Sequence, residues 1–234
     1  MRALIGTSGY NYPEWKGTFY PPEIRPAQML QYYAGRLTTV EINYTFYRMP
    51  TPKIVQGWDQ ATPDGFMFVL KAPQRITHIA RLKDIDDPLR FFLDCARLLG
   101  NKLGPILFQL APTFKKDVAR LTDLLAAFPP NLRCAFEFRH DSWFSDDVYG
   151  VLTKSEAALC MADTEKGTTP LIATADFGYL RLRDDQGYTK EALAQWAETI
   201  GRMAPKWKSA FIFFKHEESG IGPRLALELS EILT

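Results

Sequence analysis

Cysteine, histidine and surplus charge are all scarce in this 234-residue chain, which carries three cysteines, three histidines and a net charge of +1. Cys95, Cys134 and Cys160 form no CxxC pair and leave an odd number, which excludes a disulfide framework and makes a reducing cytoplasm the expected setting. The histidines fall in no HxH or HExxH pattern, so a histidine-built metal centre is disfavoured. Balanced charge leaves no whole-molecule field toward nucleic acid or an acidic membrane. No run reaches the roughly 18 apolar residues of a membrane span, and the opening "MRALIGTSGY" is too short an apolar stretch for a signal peptide. A cytoplasmic protein without a membrane partner is therefore expected.

What the chain has is apolar material in short, regular doses. It is 46% hydrophobic and 13% aromatic, enough for a full core. Short β-branched or aromatic runs recur at 3–7, 38–43, 66–71, 105–110, 133–138, 157–162, 178–183 and 210–214, each the length of a strand. Helical periods separate them. "DPLRFFLDCARLLG" opens on an Asp-Pro signal and stops at Gly100, and "KKDVARLTDLLAAF" stops before Pro129 and Pro130. Strands buried on both faces and joined by crossover helices form a parallel sheet, and eight such units predict a single-domain TIM-type (β/α)8 barrel spanning residues 1–234. No linker or second domain is apparent.

The stretch "RCAFEFRHDSWF" begins as a core strand and ends in Glu137, Arg139, His140 and Asp141. The other strand ends behave alike, in "TSGY", "VEINYTFY", "FVLKAPQR", "LFQLAP", "CMADTE", "LRLRDD" and "FFKHEESG". In a barrel these ends meet around one mouth, where active sites are built. Alternation sharpens the set: with Phe136 and Phe138 facing the helices, Glu137 and Arg139 face the axis, as do Glu41, Asn43, Lys71 and Gln109.

The segments "GTSGYNYPEWKGTFYP", "VEINYTFYRMP", "FVLKAP", "LGPILFQLAP" and "FEFRHDSW", in this order, together resemble the domain of unknown function 72 family, the YecE-like proteins. The resemblance covers essentially the whole chain and implies a barrel of this type without an established activity. Two strand ends depart from the family pattern. Arg183 stands in "RLRD" where "RLHG" is expected, and Lys215 and His216 stand in "FKH" where "FNN" is common. Both departures add cationic character.

Glu41, Lys71, Glu137 and Asp163 form the candidate catalytic set, since carboxylates exchange protons and nearby cations stabilise developing negative charge. An electrostatic role is preferred for Lys71 over a Schiff base, because nothing in the sequence marks a lowered pKa. The candidate substrate-binding set is Ser8, Tyr10, Asn43, Tyr47, Gln109, Arg139, His140, Trp143, Arg181, Arg183, Lys215, His216 and Gly222. Its rings offer stacking surfaces and its cations an anion site, with "GIGP" at 220–223 as a cradle at a helix N-terminus. Glu137 is read as a solvated mouth carboxylate, so that Glu137→Gln spares thermal stability.

The leading expectation is an enzyme doing acid/base chemistry on a small anionic substrate, phosphorylated or nucleotide-like, with no cofactor. Two alternatives stand beside it. One is a non-catalytic binding module for a phosphorylated ligand or a nucleic-acid end. The other is a divalent-metal-dependent hydrolase or isomerase using Glu41, Glu137 and Asp163 with His140 or His216. The plain structural alternative is a neutralised layer of Glu–Arg pairs inside the barrel. Reaction, substrate and oligomeric state stay open at this point.

Overall fold

The protein is represented by a computed structural model that describes residues 1–185, 187–215 and 220–233. Each of the eight apolar runs becomes a strand of one parallel barrel. The barrel strands are β1 (Arg2–Ser8), β2 (Thr39–Ile42), β3 (Met67–Lys71), β4 (Leu103–Gln109), β5 (Cys134–Glu137), β6 (Ala158–Thr164), β8 (Phe177–Leu182) and β9 (Ser209–Phe214). β7 is a two-residue excursion, Gly167–Thr168, paired antiparallel to the end of β6. Neighbours run in the order β5-β4-β3-β2-β1-β9-β8-β6, and pairing of β5 with β6 closes the ring. The fold is therefore the TIM-type barrel expected from the alternation.

Helices α1 (Pro26–Ala34), α2 (Tyr44–Tyr47), α3 (Pro52–Gln60), α4 (Asp86–Ala96), α5 (Val118–Ala127), α6 (Asp146–Lys154), α7 (Lys190–Met203) and α8 (Ile221–Leu233) surround it. Several begin where the sequence signals a start. Thr51, Asp117 and Thr189 accept hydrogen bonds from the backbone N–H groups of Ile54, Arg120 and Ala192, satisfying donors that a helix start leaves free. α4 ends in a tighter turn containing Gly100 at φ 52°.

Strand and helix do not alternate throughout. Between β6 and β8 no helix forms, because "GTTPLIAT" combines β-branched residues with Pro170. Its hydroxyls hold it to β6 instead. Thr169 Oγ1 accepts from the Ala162 N–H at 2.8 Å, while Thr174 Oγ1 accepts from the Leu159 N–H at 2.8 Å and donates to the Ala157 carbonyl at 2.7 Å.

The barrel interior changes character along its axis. Leu4, Met67, Phe177 and Phe211 fill the N-terminal end, with the Arg133 guanidinium 5.0 Å from the Phe211 ring centroid. Val69, Leu107, Ala135, Cys160 and Phe213 fill the middle. Above them, at the C-terminal ends, come Ser8, Glu41, Lys71, Gln109, Glu137 and Arg181, all buried. One seam is short: β5 and β6 pair only at Ala135 with Ala158 and at Phe136 with Leu159. Past that point the two strands are no longer paired, and the mouth opens there.

β1 and β2 are joined unusually closely. The Tyr33 hydroxyl of α1 accepts from the Thr7 N–H and donates to the Thr39 carbonyl, both at 2.9 Å. Gly6 makes room for this: a Cβ there would lie 2.0 Å from the Thr39 carbonyl oxygen. Backbone cannot swing aside as a flexible side chain can. Gly6→Ala is expected to cost about 3 kcal/mol, lowering the thermal midpoint by roughly 6–12 °C for a domain of this size. A circular-dichroism melt within a degree or so of wild type would overturn this account of the β1–β2 junction.

Candidate functional site at the barrel mouth

Six strands contribute one layer of polar side chains, and alternation is the reason they meet. Residues at i and i+2 of a strand share a face, so the parity that sends Ile42, Phe108, Phe136 and Leu182 outward sends Glu41, Gln109, Glu137 and Arg181 inward. Strand register then levels them: Ser8 is opposite Glu41, and Gln109 is opposite Glu137.

Arg181 occupies the centre. Its Nη2 donates to Glu41 Oε1 at 2.8 Å and its Nη1 to Glu137 Oε2 at 2.5 Å. Glu41 also accepts from Ser8 Oγ at 2.8 Å and from the Tyr179 hydroxyl at 2.6 Å. Glu137 also accepts from Gln109 Nε2 at 2.8 Å, Arg139 Nε at 2.6 Å and Arg183 Nη1 at 3.2 Å. The Gln109 carbonyl oxygen in turn accepts from Lys71 Nζ at 3.0 Å. Ser8, Glu41, Lys71, Gln109, Glu137, Arg139, Arg181 and Arg183 thus form a continuous chain of contacts.

Burial corrects one expectation about this layer. The Glu41 and Glu137 side chains are 0% exposed and Arg181 is 2% exposed, whereas Arg139 and Arg183 remain 32% and 17% exposed. Glu137 is therefore no solvated carboxylate. Burial alone would raise its pKa, but Arg181, Arg139 and Arg183 outweigh that cost and hold it well below the usual carboxylate range. Burial likewise opposes the charge on Arg181, and Glu137 and Glu41 more than compensate.

Lys71 moves the other way. Burial and the neighbouring Arg181 lower its pKa to about 8, against the opposing pull of Glu137 and Glu41. Its Nζ lies 4.0 Å from the centroid of the Phe46 ring. His78, on the segment after β3, packs edge-on against that ring at 4.9 Å. Burial, with Lys71 and Arg139 next in weight, lowers its pKa as well.

Two pockets flank the layer. Where β5 and β6 part, Glu137, Arg139, Ala162, Thr164 and Arg183 line a cavity of about 400 Å³, rimmed by Asp141, Glu165 and Lys166. On the opposite side of β2, Tyr10, Tyr12, Asn43, Tyr44 and Trp58 line a more apolar pocket, also about 400 Å³. Tyr10 and Asn43 thus lie beside the ionic layer rather than in it. Tyr47 is 70% exposed and rests edge-on against Phe46.

Other candidates occupy separate positions. Asp163 lies level with outward-facing Leu182 and accepts from the hydroxyls of Thr168 and Tyr188. It therefore stands apart from the two glutamates. Trp143 is fully buried, stacked on Phe138 at 4.7 Å and donating its indole N–H to the Phe114 carbonyl, which is loop packing. His140 Nδ1 accepts from the Ser142 N–H and caps the turn that follows. Gly222 is buried in the first turn of α8, Lys215 follows β9 with its backbone N–H on the Leu182 carbonyl, and His216 lies outside the described residues. The set imagined for a metal is also divided: Arg181 stands between Glu41 and Glu137, and no group of three or more His, Cys, Asp or Glu side chains placed to hold an ion occurs among the described residues.

Sequence reasoning missed Tyr179. Tyr179 was legible by parity, two residues before Arg181. Phe46 and His78 come together only through tertiary packing.

The buried layer makes a direct prediction. Glu137→Gln leaves three guanidinium groups short of a partner, and removing one member of a buried ion pair typically costs about 3–5 kcal/mol. A fall in melting temperature on the order of 10 °C is expected at neutral pH. Because the folded-state pKa is depressed, this stabilisation is complete above about pH 5 and is lost as the pH falls through the acid range. Acid should therefore narrow the gap between wild type and variant. Melts that coincide at neutral pH would show that the carboxylate contributes nothing to folding.

Comparison with known proteins agrees with this architecture. The chain is 25% identical to the UPF0759 protein YunF of Bacillus subtilis (strain 168), over 98% of its own length and 94% of that protein. It is 31% identical to the UPF0759 protein YecE of Escherichia coli (strain K12), over 60% of its length and half of that protein. A solved DUF72 family protein from Thermotoga maritima MSB8 superposes with a TM-score of 0.88 at 27% identity, covering 100% of this chain and 99% of that one. A second, from Enterococcus faecalis V583, shares the fold with a TM-score of 0.80 at 20% identity, covering 99% and 97%. The family model described as "Protein of unknown function DUF72" matches residues 4–234, and the chain belongs to that family.

Proposed function

We propose that the mouth binds a small anionic substrate, phosphorylated or nucleotide-like, and carries out acid/base chemistry on it with Lys71 as the group that exchanges the proton. The observation that carries this reading is the charge inventory of the layer. Among the described residues, Lys71, Arg139, Arg181 and Arg183 are connected to two carboxylates, Glu41 and Glu137. The surplus cations Arg139 and Arg183 are also the solvent-accessible ones, and both line the cavity between β5 and β6. An anion entering there meets guanidinium groups that suit carboxylate or phosphate. Arg183 Nε is itself buried, with no hydrogen-bond partner among the described residues.

Glu137 is poorly suited to move protons, because its ionised form is held by three guanidinium groups. Its role in this reading is to position Arg139, Arg181 and Gln109. Lys71, with a pKa of about 8, holds both protonation states near neutrality and matches the requirement for general acid/base work. Asp163 is not needed for the step. The locking of both carboxylates also favours the alternative of a binding module that grips a phosphorylated ligand or nucleic-acid end without turnover. Turnover controlled by Lys71 separates the two, whereas affinity for oligonucleotides that falls steeply with salt supports binding alone.

Inorganic phosphate is the simplest probe. It is expected to raise the melting temperature of the wild type in a concentration-dependent manner, and Arg183→Met is expected to weaken the apparent affinity about tenfold, the value of one charge-assisted contact. Equal phosphate response in wild type, Arg183→Met and Arg139→Gln would rule out this cavity as the anion site.

A further inference from the structure

We infer that Lys71 Nζ is a covalent site: it condenses with the carbonyl group of a short-chain aldehyde or ketone that carries a carboxylate or phosphate, forming a Schiff base at the mouth. This rests on the anion-binding reading of the neighbouring cavity and adds to it the bond that forms.

The geometry around the amine carries the inference. Lys71 ends β3 on the inside of the barrel and is 8% exposed. An ammonium group has three N–H donors, yet Nζ makes one hydrogen bond, to Gln109 Oε1, and meets one ring face, that of Phe46. Among the described residues no other acceptor and no carboxylate touches it. Other lysines differ: Lys102, Lys116 and Lys208 each contact an aspartate within 3.1 Å. A buried amine with one acceptor and, among the described residues, no counter-ion in contact gives up its proton more readily than a lysine held by a carboxylate, and only the neutral amine has the lone pair for attack. The lowered pKa, caused first by burial and then by Arg181, agrees with the contacts.

The residue is also held firmly in place. The Thr45 hydroxyl donates to the Lys71 carbonyl at 2.6 Å, and Phe46, next in the chain, supplies the ring beneath Nζ. Gln109 sets the spacing to the anion site, because its amide joins Lys71 to Glu137, on which Arg139 and Arg183 converge. A molecule whose anionic group meets those guanidinium groups must extend past Gln109 to bring its carbonyl to Lys71.

The step balances without a cofactor. The Nζ lone pair attacks the carbonyl carbon, forming the C–N bond while the carbonyl π pair moves to oxygen, which takes a proton as nitrogen gives one up. The resulting carbinolamine oxygen takes a second proton from solvent, the C–O bond breaks and water leaves. An iminium ion remains, with its positive charge over the Phe46 face and in the field of Glu137 and Glu41, which offset part of the cost that burial and Arg181 impose on a cation there. Further proton transfers next to the iminium carbon then belong to the acid/base chemistry already proposed.

Reductive trapping tests this directly. The full chain is incubated with sodium cyanoborohydride and one of three probes: pyruvate for the carboxylate, dihydroxyacetone phosphate for the phosphate, or acetone without an anion. Peptide mass mapping then locates the added group. Lys71 is expected to be labelled at least about tenfold faster than the exposed lysines, the ratio set by a pKa lowered by roughly two units less the handicap of its burial. The rate should climb from about pH 7 to about pH 9 as the amine deprotonates around its pKa of about 8. Between pyruvate and dihydroxyacetone phosphate, the faster probe identifies the anionic group. Arg139→Gln and Arg183→Met should erase the preference for both anions over acetone. Lys71→Met should lose the adduct and keep a melt close to wild type, and the wild-type map decides the matter even if that variant fails to fold.

Labelling spread over exposed lysines, with Lys71 among the slowest, would overturn the covalent site. If phosphate still stabilises the protein through Arg183 in that case, only the Schiff base falls. If instead Lys71 traps acetone as fast as the two anions, the covalent site stands and the anion-binding reading falls.

Discussion

Everything at the mouth depends on one guanidinium held between two carboxylates. Arg181 sits on β8, Glu41 on β2 and Glu137 on β5, so the two ion pairs cross the barrel axis instead of joining neighbouring strands. Removing such groups from water costs several kcal/mol per ion, and the loss is recovered only when each charge is met by well-placed partners. Here each carboxylate accepts hydrogen bonds from at least three side chains. Closing the barrel and assembling the site are therefore coupled, because the partners come from strands far apart in sequence. The apolar layers below matter to this arrangement by excluding water, which strengthens each of these contacts.

That constraint also divides the work among the ionisable groups. A carboxylate held by three guanidinium groups, as Glu137 is, makes a stable fixed point and a poor proton carrier. Lys71 is connected to Glu137 through the neutral amide of Gln109, so it is buried near charge without a counter-ion in contact among the described residues. Desolvation therefore governs it, and the same network that keeps Glu137 ionised leaves Lys71 able to change protonation state near neutral pH. Arg139 and Arg183 complete the division, with one face on Glu137 and the other on the open cavity.

The strands and their inward faces were legible because their causes are local. A run such as "VEINY" or "FEFR" alternates with the pleat, and the pleat decides which side chain faces the axis whatever the rest of the chain does. Errors arose where the cause was not local. Asp163 shares the strand end but not the parity of Ala162, and it turns outward to Thr168 and Tyr188. Trp143 looked like a stacking surface until Phe138 and Phe114 enclosed it. The crossover between β6 and β8 was expected to carry a helix, although its threonines and Pro170 already spoke for extended chain.

Composition, periodicity and parity by themselves determined that this protein is a barrel whose polar residues gather at one end, since these features depend on the order of residues along each strand. Only the tertiary structure decided the state of those residues. Burial and pairing are properties of distances between strands that the sequence separates by tens of residues: Arg181 lies 140 positions from Glu41 and 44 from Glu137. Those distances turned Glu137 from a solvated acid into a fixed anion, and Lys71 from an ordinary cation into an amine poised near neutrality.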